Sequence, residues 1–429
     1  MKKLILILMI SGLFADISTA QKLLEIYKNG PVKLIPEKNY GVNNNWESLF
    51  NLYYDTLNIM DGLQEQYKKI IVAPDGSVFM SHKNRHEIWK FGYDGNFIKS
   101  FGSKGGKENQ FPMLPSIQPV VDGKYIFTSD VNGRLKFFDL NGNYIKSINL
   151  TYIPMGFQPS NDSEILLKGF VIWKTKVRYM VVNLNINTGK EVVVYDYFTE
   201  RGNMITLDNV DSLMTSIKSK RNFKLPIENT SVIWAGITIL PNGKFIKTDR
   251  NSGEMIVFQN DGKVLLKTKM DVEPIKITEE DVRENYEKMR QNQQEAIARV
   301  KKSNFTSEEQ RKKAISINQK LLESSEMYKD ISNYYPYLPY FSNIIIDDEG
   351  NFLVFEFTGK DDSVSNIFNV IAYDSNGKKL ARTTFICDDY DLSFSESTFV
   401  ISKGYVYAVA KLKNYKGMPL RLVKFKLTN

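Results

Sequence analysis

The chain has 429 residues, of which 42% are apolar and 25% charged, with a mean hydropathy of −0.32. These values exclude disorder, a collagen-like repeat and a polytopic membrane protein. A single cysteine, Cys387, leaves no material for an intrachain disulfide or a Cys-based zinc site, and the two histidines, His82 and His86, are too few for a His-rich metal centre. The formal net charge of +8 is spread thinly, without the basic runs that nucleic-acid binding needs, so no nucleic-acid partner is expected.

The first twenty residues have the layout of an export signal. Lys2 and Lys3 precede an apolar run over 4–14, and Ser18, Thr19 and Ala20 supply small residues for cleavage before Gln21. Residues 1–20 are therefore expected to be a signal peptide and 21–429 the mature chain, placed in the periplasm or secreted. No later run is long and apolar enough to span a bilayer, so no transmembrane segment is expected in the mature chain.

Turn dipeptides ending in glycine punctuate the mature chain: Asp75-Gly76, Asp94-Gly95, Asp122-Gly123, Asn141-Gly142, Asn242-Gly243, Asp261-Gly262, Glu349-Gly350 and Asn376-Gly377. Gly76 to Gly95, Gly123 to Gly142 and Gly243 to Gly262 are each 19 residues apart, while Gly76 to Gly123 and Gly142 to Gly189 are each 47. Such dipeptides supply the positive φ of two-residue hairpin turns. Two turns per 47 residues give four strands per repeat, the size of a propeller blade. The text between the turns is β-branched and aromatic, as in 77–80 with 87–91, 124–128 with 134–138, and 244–248 with 254–258. Six units begin near Ile70, Pro115, Met155, Val232, Phe341 and Ser397, the third being the most degenerate. The sixth has three strands before Asn429, and a segment at 23–27 or 31–35 is available to close the ring and remove both sheet edges. The expected fold is all-β: a six-bladed β-propeller closed by an N-terminal strand, with an inserted α-helical hairpin.

The residues Phe101-Gly102-Ser103-Lys104-Gly105-Gly106, then Asn109-Gln110-Phe111-Pro112, then Phe127-Thr128-Ser129-Asp130 through Arg134 to Asp139 resemble an NHL repeat. The mature chain resembles the exported bacterial six-bladed β-propeller proteins, most closely over 70–150. Unit two carries the Asp and Arg of that pattern as Asp130 and Arg134; unit one departs from it, with His82 and Glu87 in those places. The Gly102 to Lys107 stretch mimics a phosphate loop but has the wrong spacing and reads as a linker between blades.

Residues 278–330 break the β pattern. Thr278 with Asp281, and Thr306 with Glu309, are capping-box starts, and Val282, Tyr286, Met289, Ile297 and Val300 form a helical stripe. The insertion is expected to be a helical hairpin, either packed as a lid across one rim or extended as a partner-binding arm. Residues 199–230 are expected to be a long loop.

Propellers place function on one face, around the central channel, where loops converge. The residues six or seven past each first-hairpin glycine are His82, Asp130, Asp249 and Glu356, with Lys411 near the sixth equivalent. With Arg134 and Arg250 they make the candidate binding set; the bland alternative is that each caps its own turn by accepting backbone N–H bonds. A channel calcium site would need converging oxygens, for which Asp130, Asp249, Glu356, Gln118 and Asn343 are the available donors. No G-x-S-x-G elbow is present, and Cys387 has no histidine near it in sequence. The expected function is an exported, non-enzymatic binding or scaffold module for a protein or glycan of the cell envelope, with no cofactor. The competing expectation is a metal-dependent hydrolase or lactonase acting at the channel.

Overall fold

The computed structural model describes residues 23–50, 67–82, 86–112, 116–121, 123–129, 133–161, 163–173, 176–200, 236–302, 307–357, 366–392, 399–416 and 418–429. The expected signal peptide and most of the expected loop at 199–230 lie outside them; 199 and 200 end a strand, Glu191–Glu200.

The described residues are mostly β and have a propeller-like arrangement. Four sheets are separate four-stranded antiparallel meanders, spanning 67–101, 116–149, 153–200 and 236–269 (sheets one to four). A fifth, nine-stranded sheet is curled. Its first half is the meander 341–386. Its second half holds Phe399–Ser402, Tyr405–Leu412 and Leu420–Thr428, with Tyr390–Leu392 added at one edge. Val32–Pro36 joins the halves: it pairs antiparallel with the last strand, from Lys33 opposite Thr428 to Pro36 opposite Phe425, and parallel with Lys379–Ile386 through Val32 and Lys33. The innermost strand of sheet four is Gly236–Ile239, and the expected start of this unit near Val232 lies outside the described residues. Sheet three, the most degenerate in sequence, has the longest strands, three of ten residues each.

The glycine turns differ in type from the sequence reading. In 73–77 the Gly76 N–H bonds to Ala73 O and the Ala73 N–H to Ser77 O, and among these central residues only Gly76, at φ 83°, has positive φ. This is a type I turn closed by a glycine bulge, and the Asp75 carboxylate accepts the Ser77 N–H at 2.9 Å instead of adopting positive φ itself. Lys403 and Gly404, both at positive φ between paired Ser402 and Tyr405, form a two-residue turn of the expected kind.

Each sheet buries aromatics against its neighbour. Phe101 meets Phe138 across sheets one and two at 5.7 Å between ring centroids, Phe127 meets Phe157 across two and three at 6.0 Å, and Tyr195 meets Phe258 across three and four at 4.9 Å. Met255 and Val257 of sheet four share a cluster with Phe352 and Tyr373, Phe355 meets Phe399 within the nine-stranded sheet, and Tyr407 and Val409 return to Trp89 and Phe91 of sheet one.

Polar straps cross the same junctions. Lys90 Nζ donates to Leu140 O (2.8 Å), Lys146 Nζ to Ile186 O (2.7 Å), Lys168 Nζ to Ile237 O (2.9 Å) and Lys244 Nζ to Asn376 Oδ1 (2.7 Å). Lys403 donates its N–H to Asp348 Oδ2 and its Nζ to Pro74 O, tying the second half of the curled sheet to both neighbours. Long alkyl stems lie along the sheets while the ammonium satisfies an acceptor of the next sheet, in a turn for Lys90, Lys146 and Lys244 and in the strand Gly236–Ile239 for Lys168.

The insertion forms α1 (Glu279–Lys302) and α2 (Glu308–Ser324). The capping box at Thr278 and Asp281 is made, with Thr278 N–H to Asp281 Oδ2 at 2.8 Å and Asp281 N–H to Thr278 Oγ1 at 3.2 Å. The second cap is Ser307, which accepts the Gln310 N–H; Thr306 lies outside the described residues. The root of the hairpin is buried: Val282 clusters with Ile277, Tyr334, Leu338 and Phe357, whereas Ile297 and Val300, further out, are half-buried.

Replacing Lys90 by methionine keeps the stem and removes the strap. Unfolding in urea is expected to show a loss of about 1.5–3 kcal/mol, the range of a hydrogen bond to a charged group; a change within error would show that the strap adds nothing.

Candidate functional site

A cavity of about 290 Å³ is bordered mainly by innermost strands. It touches residues 69–72, 156–159, 238, 239 and 241, 345–348 and 399–402, each near the end of an innermost strand that leads into its first hairpin turn. Ile71, Phe157, Ile239, Ile345, Phe399 and Ile401 make most of the wall apolar. Gln158, Thr238, Ser402, Lys69, Lys168, Asp347 and Asp348 supply its polar atoms.

Lys168 belongs to the second strand of sheet three, yet it reaches the cavity because Gly156 faces it on the innermost strand, where the register slips between Pro154 and Gly156. A Cβ at Gly156 would sit 2.8 Å from Lys168 Cε, so the missing side chain is the notch through which the lysine passes. Its Nζ then reaches Ile237 O, which uses one of its three donors.

Asp347 occupies the first position of its turn, where sheets one and four have Ala73 and Leu240. It is 1% exposed and accepts N–H bonds from Asn351 (2.8 Å) and Glu349 (3.1 Å) and the Asn351 side-chain amide at 3.0 Å. Burial pushes its carboxyl up to about 7, with help from the charges of Glu349 and Asp348 and against the Asn351 hydrogen bonds. Tyr27, fully buried with no hydrogen-bond partner for its hydroxyl among the described residues, is pushed upward by its own burial and then by the charge of Asp347.

The residues singled out in sequence lie at the other end of the sheets. Tyr67 pairs with His82, Gly236 with Thr248 just before Asp249, and Phe341 with Glu356, whereas the cavity borders the opposite ends of those strands. Asp130 and the side chains of His82 and Gln118 lie outside the described residues. Asp249 accepts the Asn251 N–H (2.9 Å) and the Ser252 hydroxyl (2.7 Å), holding its own turn. Arg250 Nε donates to Phe341 O at 2.8 Å, and Arg134 Nη1 lies 3.4 Å from Gly106 O. Glu356 Oε1 is 2.7 Å from Arg382 Nη2 without hydrogen-bond alignment, and half-burial raises its carboxyl against the pull of that arginine. Asn343 turns its Oδ1 to the Ile344 N–H, and Lys411 pairs with Asp391 at 3.5 Å. The helical insertion is rooted at this same end, through Phe357 next to Glu356.

Among the described residues no group of three or more His, Cys, Asp or Glu is placed to hold a metal ion. His86, at φ 55°, puts Nδ1 3.0 Å from Phe111 O, and burial pushes the Cys387 thiol up to about 11. Sequence reasoning missed Lys168, Gly156, Gln158, Asp347 and Ser402. The available signals were a glycine inside the strand at 155–157 and a doubled acid, Asp347-Asp348, ahead of Glu349-Gly350.

No family model matches the chain, and no curated protein matches it in sequence. Among solved structures, it is similar to a member of the DUF4221 family from Bacteroides vulgatus, at 12% identity and a TM-score of 0.43, covering 94% of this chain and 100% of that one. A candidate exported protein from Bacteroides fragilis is similar at 10% identity and a TM-score of 0.44, covering 84% and 90%. The calcium-binding protein regucalcin from Agrobacterium tumefaciens is similar at 8% identity and a TM-score of 0.37, covering 84% and 91%. No described helix is long and apolar enough to cross a membrane.

A carboxyl raised in the folded state holds its proton more tightly there than in the unfolded chain, whose value is about 3.9. Its stabilising contribution is complete below that value and is lost as the pH rises through about 7. Asp347→Asn keeps the turn acceptor and cannot ionise, so thermal unfolding should show it more stable than wild type at pH 8 and little different at pH 4. Equal destabilisation at both pH values would contradict the burial argument.

Proposed function

We propose that the chain is an exported six-bladed β-propeller with NHL-like repeats, a non-enzymatic binding or scaffold module that recognises a protein or glycan of the cell envelope. In this reading 1–20 is the export signal and 21–429 one propeller interrupted by the helical hairpin at 278–330, working in the periplasm or outside the cell. The six-blade count is supported by the two halves of the curled sheet. Residues 341–386 are one four-stranded meander, and the three strands of 399–428 gain Val32–Pro36 as a fourth. Val32–Pro36 then fuses two blades by pairing with both.

One contrast carries the functional reading. At the end that holds Asp249, Arg250, Arg134 and Glu356, those side chains are engaged in turns and straps of their own fold. In the cavity, Gln158, Thr238 and Ser402 line an apolar wall with no hydrogen bond from their side chains among the described residues. Polar groups left open on a concave apolar surface are what a binding site offers. We therefore place recognition at the cavity mouth rather than at the original candidate set. The basic excess supports no nucleic-acid role, since many of its lysines strap one sheet to the next.

The test is binding of the purified mature chain to envelope proteins and glycans, with Ser402→Trp as the channel-filling variant. Affinity for the captured partner should fall at least about tenfold in the variant, as expected when a central contact is blocked, while its circular dichroism stays that of wild type. Undiminished binding by the variant, or ion-dependent ester or lactone turnover by the wild type, would overturn the reading.

A further inference from the structure

The cavity carries both signs of charge on separate walls. On sheet three, Lys168 enters through the Gly156 notch and spends one donor on Ile237 O, leaving two. On the curled sheet, Asp347 and Asp348 border the same cavity, where Asp348 is exposed and accepts a single N–H, from Lys403. Sheet four lies between these walls, contributing Thr238 and Ile239; Lys69 of sheet one, which already has an interaction of its own, also borders the cavity, and the remaining surface is mainly apolar.

The charge layout restricts the occupant. An apolar neutral molecule would strip water from the Lys168 ammonium and return nothing to it, a penalty for any buried charged donor. A simple anion would satisfy Lys168 and face the carboxylates; a simple cation would do the reverse. A molecule with an anionic group, a cationic group and an apolar body answers all three surfaces. The volume, about 290 Å³, lies at the small end of the ~300–1,000 Å³ typical of small-molecule pockets and admits no folded partner.

We propose that the channel cavity binds a small zwitterion with an apolar body, a free apolar amino acid or a short apolar peptide with both termini free. Its carboxylate would sit on Lys168 and its ammonium against Asp348, with the apolar side chains on Phe157, Ile239 and Ile345. This rests on the cavity being the recognition site. It goes beyond that reading by naming the ligand chemistry, which for a larger partner would be a short apolar fragment cleaved from it with both termini free.

The experiment is titration calorimetry of the mature chain with five probes: leucine, the dipeptide Leu-Leu, its N-acetyl form, its C-terminal amide and the doubly blocked form. Saturable binding of leucine or Leu-Leu is expected, the tighter of the two telling amino acid from peptide. Each single block should weaken binding at least about tenfold, the scale of one lost charge-assisted hydrogen bond. Lys168→Met should weaken Leu-Leu by a similar factor and bind the amide no worse than Leu-Leu. Asp348→Asn, an exposed change that leaves the buried core untouched, should erase discrimination against the N-acetyl form. Absence of saturable binding by either leucine or Leu-Leu, or equal binding of the doubly blocked form, overturns the proposal. If Ser402→Trp still abolishes binding of the envelope partner, that failure falls on the zwitterion alone; if Ser402→Trp also leaves the partner bound, the channel reading falls with it.

Discussion

Val32–Pro36 has backbone partners on both sides, the last strand of the chain on one and Lys379–Ile386 on the other, and it buries Val32 and Leu34 in the largest apolar cluster. A strand so placed closes two sheet edges that would otherwise expose unpaired N–H and C=O groups. It also converts the start and end of the chain into one sheet. Residues 23–28 add a helical segment over the same seam, where Tyr27 packs on Phe385 and Ile26 O accepts the Asn429 side-chain amide. Phe399 and Ile401 belong to this cluster and also line the cavity, so the cavity wall depends on the seam holding.

Around the channel, sheets meet through two kinds of contact that divide the work. Aromatic faces exclude water, with Phe127, Phe137, Phe138 and Phe245 almost wholly buried, and lysines satisfy backbone and side-chain acceptors of the next sheet. The basic excess of the chain is thereby partly structural. Lys168 stands apart from the other straps because it both bonds to sheet four and borders the cavity. One side chain thus couples sheet packing to the chemistry of the site, and the glycine beside it is what permits the double role.

The repeat was legible in sequence because its markers are local. Glycine at positive φ recurs in the hairpin turns, and the strands flanking 76, 123 and 243 fall within a residue or two of the positions their patterns imply. The helical insertion was legible for the same reason, through Thr278 and its reciprocal bond with Asp281. The turn type was not, since Asp and Asn before glycine serve a bulged type I turn as readily as a two-residue one. Nor was the site. Asp249 and Glu356 looked functional because a polar group interrupts an apolar pattern, and the structure spends both on local geometry. Lys168 also interrupts an apolar run, Leu166-Leu167-Lys168-Gly169-Phe170, but nothing in its spacing marked it: its role comes from a glycine twelve residues away, across a paired strand, and from a carbonyl in another sheet. Residues that act through such non-local neighbours are invisible to spacing arguments.

If closure by Val32–Pro36 is what holds the ring, its backbone cannot open while the rest stays folded. Native-state hydrogen exchange of the Leu34 and Ile35 amides, compared with those of Phe79 and Trp89 in sheet one, measures this directly. The account predicts that both pairs exchange only through global unfolding, with matching opening free energies and matching steep dependence on denaturant. Exchange of Leu34 and Ile35 by a low-energy local opening, with Phe79 and Trp89 still protected, would contradict it.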